Sequence, residues 1–272
     1  MTEATAPAYP VTARNRLKRR HDRGRYDHAS VHAILDSGML CHVAYVIDAQ
    51  PYATPTLYWR EGTRLYWHGS SASRMLRAQE GGVPVCLTMA HLDGLVMART
   101  GFNHSANYRS VMCFGQAHLI EGDAKVAALH AMIERFYPGR DAGLRPFSVQ
   151  DIKATTVIGM EIEEASAKIR AAGNLDEPED MDNPSWAGVI PVATVIGAAQ
   201  PCPNNPVHPT LAGADGDGGR GRRIRCHGLC EHRRFGKGPA WAGGRSRGAS
   251  LCRLWCGLNA GGVPSAAYLE TA

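Results

Sequence analysis

The 272-residue chain has no window of about eighteen consecutive apolar residues. Met1 to Pro10 holds no apolar core ahead of a small-residue cleavage site. Membrane-spanning and secreted proteins are therefore disfavoured, and the cytoplasm is the expected location. Gly-Lys-Ser and Gly-Lys-Thr are both absent, which removes a Walker-type phosphate loop. Gly-x-Ser-x-Gly is absent too, and no cysteine sits in a catalytic signature, so the activated-nucleophile hydrolases have no starting residue. The stretch Gly216 to Gly221 spells G-x-G-x-x-G, but it follows no strand-like run and opens no apolar helix.

The formal charge of +5 is unevenly placed. Residues 198–272 carry 10 Lys and Arg against 4 Asp and Glu, whereas residues 1–197 carry 20 against 21. Cys202, Cys226, Cys230, Cys252 and Cys256 crowd the same last stretch, which also holds 14 Gly and shows no apolar period. Disorder is expected there. The Arg, Gly, Pro, Cys and Trp mixture is also what a GC-rich gene yields when read in a shifted frame. Zinc at Cys226, Cys230, Cys252 and Cys256 is spaced acceptably but lacks the apolar residues of a small core, so no metal is expected. Three regions result: a basic arm at 1–26, a folded domain at 27–197 and the tail at 198–272.

Within 27–197 the periods alternate. Asp27 to Ser37 reads as a helix burying Val31, Ile34 and Leu35 and stopping at Gly38. Strands are predicted at Met39 to Ile47, Thr54 to Arg60 and Arg64 to His68, the last two joined through Glu61-Gly62-Thr63. That hairpin places Leu57, Trp59, Leu65 and Trp67 on one face and Thr56, Tyr58, Tyr66 and His68 on the other. A helix over Ser73 to Glu80, strands at Val83 to His91 and Leu95 to Thr100 around a turn at Asp93-Gly94, and a long strand from Ser110 to Ile120 follow. Asp123 is expected to cap an amphipathic helix ending at Pro138-Gly139, ahead of a last strand at Thr155 to Ile162. Connections this short exclude parallel crossovers, so the expected fold is mainly β with flanking helices, a six-stranded antiparallel barrel.

The most informative segment is Tyr66 to Arg74, a strand that enters Gly69-Ser70-Ser71-Ala72-Ser73 and opens a helix at Arg74. Free backbone N–H groups, three hydroxyls and a guanidinium at one place suit a phosphate, although a plain Ser-capped helix has the same letters. Tyr108-Arg109-Ser110 and Lys168-Ile169-Arg170 supply further cations, or surface ion pairs and a charged strand edge. Trp186 can stack on a flat ring or plug the barrel end. His68 ends a strand beside the anion loop and is the candidate for direct chemistry, or a ring that only hydrogen-bonds a neighbour.

The run Pro55 to Trp59, the segment Leu65 to Ser70 leading to Ser73-Arg74, then Asp93 to Val96, Asn107 to Ser110 and Trp186 to Pro191, resemble the pyridoxamine 5′-phosphate oxidase-like flavoproteins. The likeness is strongest to their flavin-nucleotide-binding branch, itself similar to nitroimidazole-resistance reductases. The resemblance covers about Arg14 to Gly197. It implies an FMN-binding split barrel at a homodimer interface, with FMN phosphate at Gly69, Ser70, Ser71, Ser73 and Arg74. It also implies that Thr54, Pro55, Thr56 and Tyr58 lie along the flavin ring, and that His68, Tyr108, Arg109, Ser110, Lys168 and Trp186 approach the cofactor, some of them from the second subunit. The activity implied is a flavin-dependent oxidoreductase passing electrons to a small molecule, with His68 as catalytic candidate. The substrate-gripping Arg-x-His-x-Arg of authentic vitamin B6 oxidases has no C-terminal counterpart: its nearest match, Arg19 to Arg23, lies at the other end. A flavin-binding protein without turnover, and a barrel using haem or deazaflavin, are the alternatives. Nucleic acid is not an expected partner.

Overall fold

The computed structural model describes residues 6–200 and 202–204. The expectations of disorder and a shifted frame for 198–272 fall almost wholly outside these residues, as do the four cysteines considered for zinc. No helix among the described residues is long and apolar enough to cross a membrane.

Asp27 accepts a hydrogen bond from the Ser30 N–H at 2.7 Å and caps α1 (His28–Ser37), which buries Val31, Ile34 and Leu35. Nine strands follow or flank it: β1 (Gly24–Arg25), β2 (Leu40–Ile47), β3 (Gln50–Glu61), β4 (Arg64–Ser70), β5 (Gly81–Met97), β6 (Ser105–Ile120), β7 (Thr155–Glu161), β8 (Glu164–Arg170) and β9 (Gly188–Pro191). Three further helices, α2 (Arg74–Arg77), α3 (Gly122–Phe136) and α4 (Val149–Ala154), sit between them. Six strands form a closed antiparallel ring, β6-β7-β4-β3-β2-β5, because β5 pairs back with β6; β1 and β8 extend it beyond β6, and β9 beyond β5. Closure removes the exposed edges that a flat sheet would leave.

The split in the barrel lies along β6. Residues 108–114 of β6 pair with β8, and residues 117–120 pair with β7. Gly115 sits between the two ladders, and a Cβ there would overlap the Glu161 carbonyl, so the backbone crossing admits only glycine.

Tyr58, Leu65, Trp67, Leu87, Ile158 and Met160 fill the main core. Trp67 donates its indole N–H to the fully buried Gln79 at 2.8 Å. A second cluster, Trp59, Tyr66, Val157 and Leu129, lies between the sheet and α3.

Several expectations are corrected. The β3–β4 turn is a two-residue loop, Gly62-Thr63, with Glu61 opposite Arg64 and Gly62 at φ +58°. That register pairs Tyr58 with Trp67 and Trp59 with Tyr66. Trp59 therefore shares a face with Tyr66, and Tyr58 with Leu65 and Trp67, since one residue of loop length exchanges the two faces. Asp93-Gly94 is no turn: β5 runs on through it with a bulge between Leu92 and Gly94, and the chain reverses only after Met97. The helix expected over Ser73 to Glu80 ends at Arg77, because Gln79 turns inward to Trp67. Asp123 lies in the first turn of α3 without capping it.

Candidate functional site

His68, near the end of β4, opens on a cavity of about 340 Å³ walled by Leu129 and Met132 of α3, by Leu144, Arg145 and Phe147 of the connecting segment, and by Asp151 and Thr155. The α4 wall is fixed locally. The Ser148 side chain accepts from the Asp151 N–H while Asp151 accepts from the Ser148 N–H, a reciprocal cap that the Ser-x-x-Asp spacing specifies. Arg145 donates to Asp151 at 2.7 Å and, with the cap, holds that carboxyl well below the usual carboxylate range. His130 of α3 lies 2.8 Å from both Asp141 carboxylate oxygens and packs against Phe147, with ring centroids 5.0 Å apart, which ties the segment to the helix.

The His68 ring meets Trp59 edge-on at 5.9 Å, and Trp59 stacks on Tyr66 at 5.5 Å. Its Nδ1 is buried with no hydrogen-bond partner, as is Trp59 Nε1. Burial pushes the imidazolium below its usual pKa of 6.5, so the ring is neutral at pH 7. With Nδ1 closed off, the other ring nitrogen of this neutral imidazole is the one that a metal macrocycle in the mostly apolar cavity would use, beside the Arg145–Asp151 pair. The residues therefore fit haem, and His68 would ligate its iron. Among the described residues no group of three or more His, Cys, Asp or Glu is placed to hold a bare metal ion.

The phosphate-type loop lies where β4 ends. Ser71 N–H donates to Ala154 O at 2.9 Å, Ala72 N–H to Ser70 Oγ at 3.2 Å, and Ser73 N–H to Ser70 O at 2.9 Å, which fixes a tight turn next to β7. Ser73 precedes α2 without using its hydroxyl as a cap. The Arg74 guanidinium lies over the Tyr52 ring at 4.8 Å, Tyr52 stacks on Tyr45 at 5.6 Å, and the Tyr45 hydroxyl meets Thr54 Oγ1 at 3.0 Å. The structure thus brings Gly69, Ser70, Ser71, Ser73 and Arg74 to one loop, and links Arg74 through two tyrosines to Thr54. Pro55 is exposed, and Thr56 lies half-buried on the Thr54 face. The N–H groups of Ser71, Ala72 and Ser73, expected to be free, are spent on these bonds, so a flavin phosphate here would be met by serine hydroxyls and the exposed Arg74 guanidinium. Tyr58 departs from its expected place at the ring: it is buried, and its hydroxyl donates to Leu35 O at 2.5 Å. Tyr58 shares the inward face of β3 with Thr54 and Thr56, while Pro55 and Leu57 face outward, and that face carries Tyr58 under α1.

The remaining candidates gather elsewhere. Arg109 forms a two-pronged pair with Asp93 at 2.9 Å for each bond. Ser110 Oγ donates to Lys168 O at 3.4 Å, and Tyr108 pairs with Arg170 across β6 and β8. Trp186 is 60% exposed and covers Gly188 at the start of β9. Twelve residues of β6 separate Tyr108 from Ile120, which lies near the Ser70 loop through β7; at about 3.3 Å per residue this is about 40 Å of strand. Sequence reasoning missed the cavity, Tyr52 and Trp59. Only the Ser148-x-x-Asp151 cap was a readable sign of the cavity wall.

The fold is a six-stranded antiparallel split barrel with a loop bearing serines and an arginine at the end of one strand. The sequence profile of pyridoxamine 5′-phosphate oxidase matches residues 27–169. Among solved structures, the chain is similar to the flavocytochrome Anf3 from Azotobacter vinelandii, at 44% identity and a TM-score of 0.69, over 75% of this chain and 95% of that one. It is also similar to the FAD and heme binding protein from Mycobacterium smegmatis, at 34% identity and a TM-score of 0.67, over 70% of this chain and 95% of that one. A comparison with curated proteins finds no match. The chain belongs to the pyridoxamine 5′-phosphate oxidase family, a flavin-binding family.

Proposed function

We propose that this protein is a redox protein that carries a flavin and a haem, the flavin phosphate on the Ser70 to Arg74 loop and the haem iron on His68. The observation that carries the reading is His68: a neutral imidazole at the wall of a mostly apolar cavity. A histidine kept neutral by burial at a cavity wall has the protonation state that a metal ligand needs. The two similar structures at 44% and 34% identity, one a flavocytochrome and the other a FAD and heme binding protein, support the same pair of cofactors.

When bound, flavin supplies two-electron and haem one-electron chemistry. The chain's part is to hold and shield them. Arg74 and the Ser71 and Ser73 hydroxyls grip phosphate, while Leu129, Met132 and Phe147 exclude water from the His68 side. Arg145 offers a charge-assisted donor to a carboxylate at the cavity mouth. The dinucleotide FAD is the proposed flavin form in place of the FMN that the sequence resemblance implies, and the electrons pass to a small acceptor.

A homodimer in the cytoplasm is part of the proposal. Leu40 pairs with Leu57, and Leu95 with Ile190, on neighbouring strands, and all four are exposed at 42–55%. Such paired apolar residues on a sheet suit burial against a second copy. A second copy would also bring Tyr108, Arg109, Ser110, Lys168 and Trp186 toward the other protomer's flavin.

The test is the visible spectrum of freshly purified full-length protein and the mass of the ligands released from it. A Soret band with flavin absorption and a released mass of FAD is expected. FMN alone, with no haem taken up from added haemin, would return the reading to a simple flavoprotein, and absence of any flavin would overturn it.

A further inference from the structure

Several arginines among the described residues are neutralised by carboxylates. Arg14, Arg60, Arg64, Arg99, Arg109 and Arg145 each pair with a carboxylate within 3.3 Å. Arg25, Arg77 and Arg135 donate to backbone carbonyls instead, and one cationic group is more deeply buried than these. The register of β1 against β8 sets Gly24 opposite Lys168 and Arg25 opposite Ala167, so the arm carrying Arg20 and Arg23 runs beside the end of β8 that leads to Arg170. Arg170 is 6% exposed, and its guanidinium donates only to neutral acceptors: Asn107 Oδ1 at 2.5 Å, Ala172 O at 3.2 Å and Gly173 O at 3.2 Å. Its Nε is buried with no partner. Arg23 and Lys168, both half-buried, make no ion pair among the described residues, and Arg20 reaches only the exposed Asp22, at 3.9 Å. Burial and the charges of Arg23 and Arg20 push Arg170 below the usual arginine pKa, the mark of like charges gathered without a counter-ion.

Acid is not scarce in the chain. Residues 27–197 hold 19 Asp and Glu against 13 Lys and Arg, while residues 14–25 hold seven Lys and Arg against Asp22 alone. A clamp for the turn at residues 171–173 accounts for two nitrogens of Arg170. The third, Nε, is closed to solvent, so Arg170 would act on an anion through its charge, while Arg23 and Lys168 beside it make no ion pair among the described residues. A desolvated guanidinium flanked by further cations is complementary to a compact anion carrying more than one charge.

We propose that Arg20, Arg23, Lys168 and Arg170 form a binding site for an anion of the diphosphate class, separate from the Arg74 loop of the same protomer. Two sources share this chemistry: the diphosphate of a flavin dinucleotide whose ring is held by a second copy, and the diphosphate of a free nucleotide. Only the first source rests on the flavin reading above.

The probe is inorganic pyrophosphate, titrated calorimetrically into the full-length protein as purified and again after release of its cofactors. Arg20→Asn/Arg23→Gln is the test variant, asparagine being tolerant of the left-handed backbone at position 20 (φ 55°). Lys168→Gln is the second variant, and Arg64→Gln the control. Thermal unfolding checks that each is folded. The cofactor-free protein is expected to bind pyrophosphate, the double variant about tenfold to a hundredfold more weakly, and the control like the parent. If the purified protein binds the probe as well as the stripped protein does, the ligand is a free nucleotide. If only the stripped protein binds it, and the double variant loses affinity for FAD but not for FMN, the ligand is the flavin tail. No binding to the stripped protein, or equal binding by parent, double variant and Lys168→Gln, overturns the proposal. Pyrophosphate binding by a protein that takes up no flavin would sink the flavin reading and leave this site standing.

Discussion

Replacing His68 by leucine separates a ligand from a structural residue, because the two roles predict opposite changes in stability. His68 lies in β4, opposite Val157 of β7, with a buried Nδ1 that has no partner. Leaving such a nitrogen unsatisfied costs about 1–3 kcal/mol, and a leucine of similar volume against Leu129, Met132 and Phe147 removes that cost without opening a hole. In a domain of this size 1 kcal/mol moves Tm by about 2–4 °C, so the cofactor-free variant should unfold about 2–12 °C above the parent. Haemin titration followed at the Soret band should meanwhile show loss of the imidazole-ligated spectrum. Stability would rise as binding disappears, which is the pattern of a residue kept for function at the expense of the fold. A His68→Leu protein that melts several degrees lower and still gives an unchanged Soret band would refute the assignment, since it would make the imidazole a packing element and place the iron elsewhere.

Other outcomes follow from the same structure. Arg74→Ala should weaken flavin binding about tenfold to a hundredfold, read by quenching of flavin fluorescence, because a charge-assisted phosphate contact is lost while an exposed side chain is removed; an unchanged dissociation constant would move the phosphate off this loop. Gly115→Ala should cost about 3 kcal/mol or more by urea unfolding, as its Cβ meets backbone that has no room to retreat; a loss below about 1 kcal/mol would show that the crossing of β6 and β7 yields. Burial lowers the pKa values of His32, His68 and His91 below 6.5 in the folded state, so between the folded values and 6.5 the unfolded chain binds more protons. Stability of the cofactor-free protein is thus fully present above that pH and lost as pH falls through the folded values; urea midpoints at pH 7.5 and 5.5 should fall in that order, and a higher midpoint at pH 5.5 would contradict it. Leu57→Glu should yield monomers by light scattering if the Leu40–Leu57 face is the contact between copies, and a dimer of undiminished mass would place that contact elsewhere.

The phosphate loop was readable because everything it needs is adjacent in the chain: a strand, three serines and an arginine. The helix at residues 28–37 was readable for the same reason, its cap and apolar spacing being local. The faces of the β3–β4 hairpin were misassigned because a two-residue and a three-residue loop differ by one position, and both carry Gly62. The strand Glu164–Arg170 escaped notice because Glu-Ala-Ser-Ala-Lys-Ile-Arg has little apolar alternation. It is buried by being paired on both sides, with β1 and β6, and not by its composition. The bulge at Asp93-Gly94 looked like a turn because aspartate and glycine serve both purposes.

Local periods and caps determined that this chain would be an antiparallel barrel with an anion loop at the end of one strand, since helices, strands and turns are specified within a few residues. Which loop residues would share a site was decided only by closure of the barrel. Closure set Tyr58 under α1 and laid Leu129 and Met132 of α3 beside His68 from some sixty residues further along the chain. Pairings between distant strands carry no local signature, because a ladder hydrogen bond is the same whatever side chains flank it. The cavity and the unneutralised arginines therefore exist only in the folded chain.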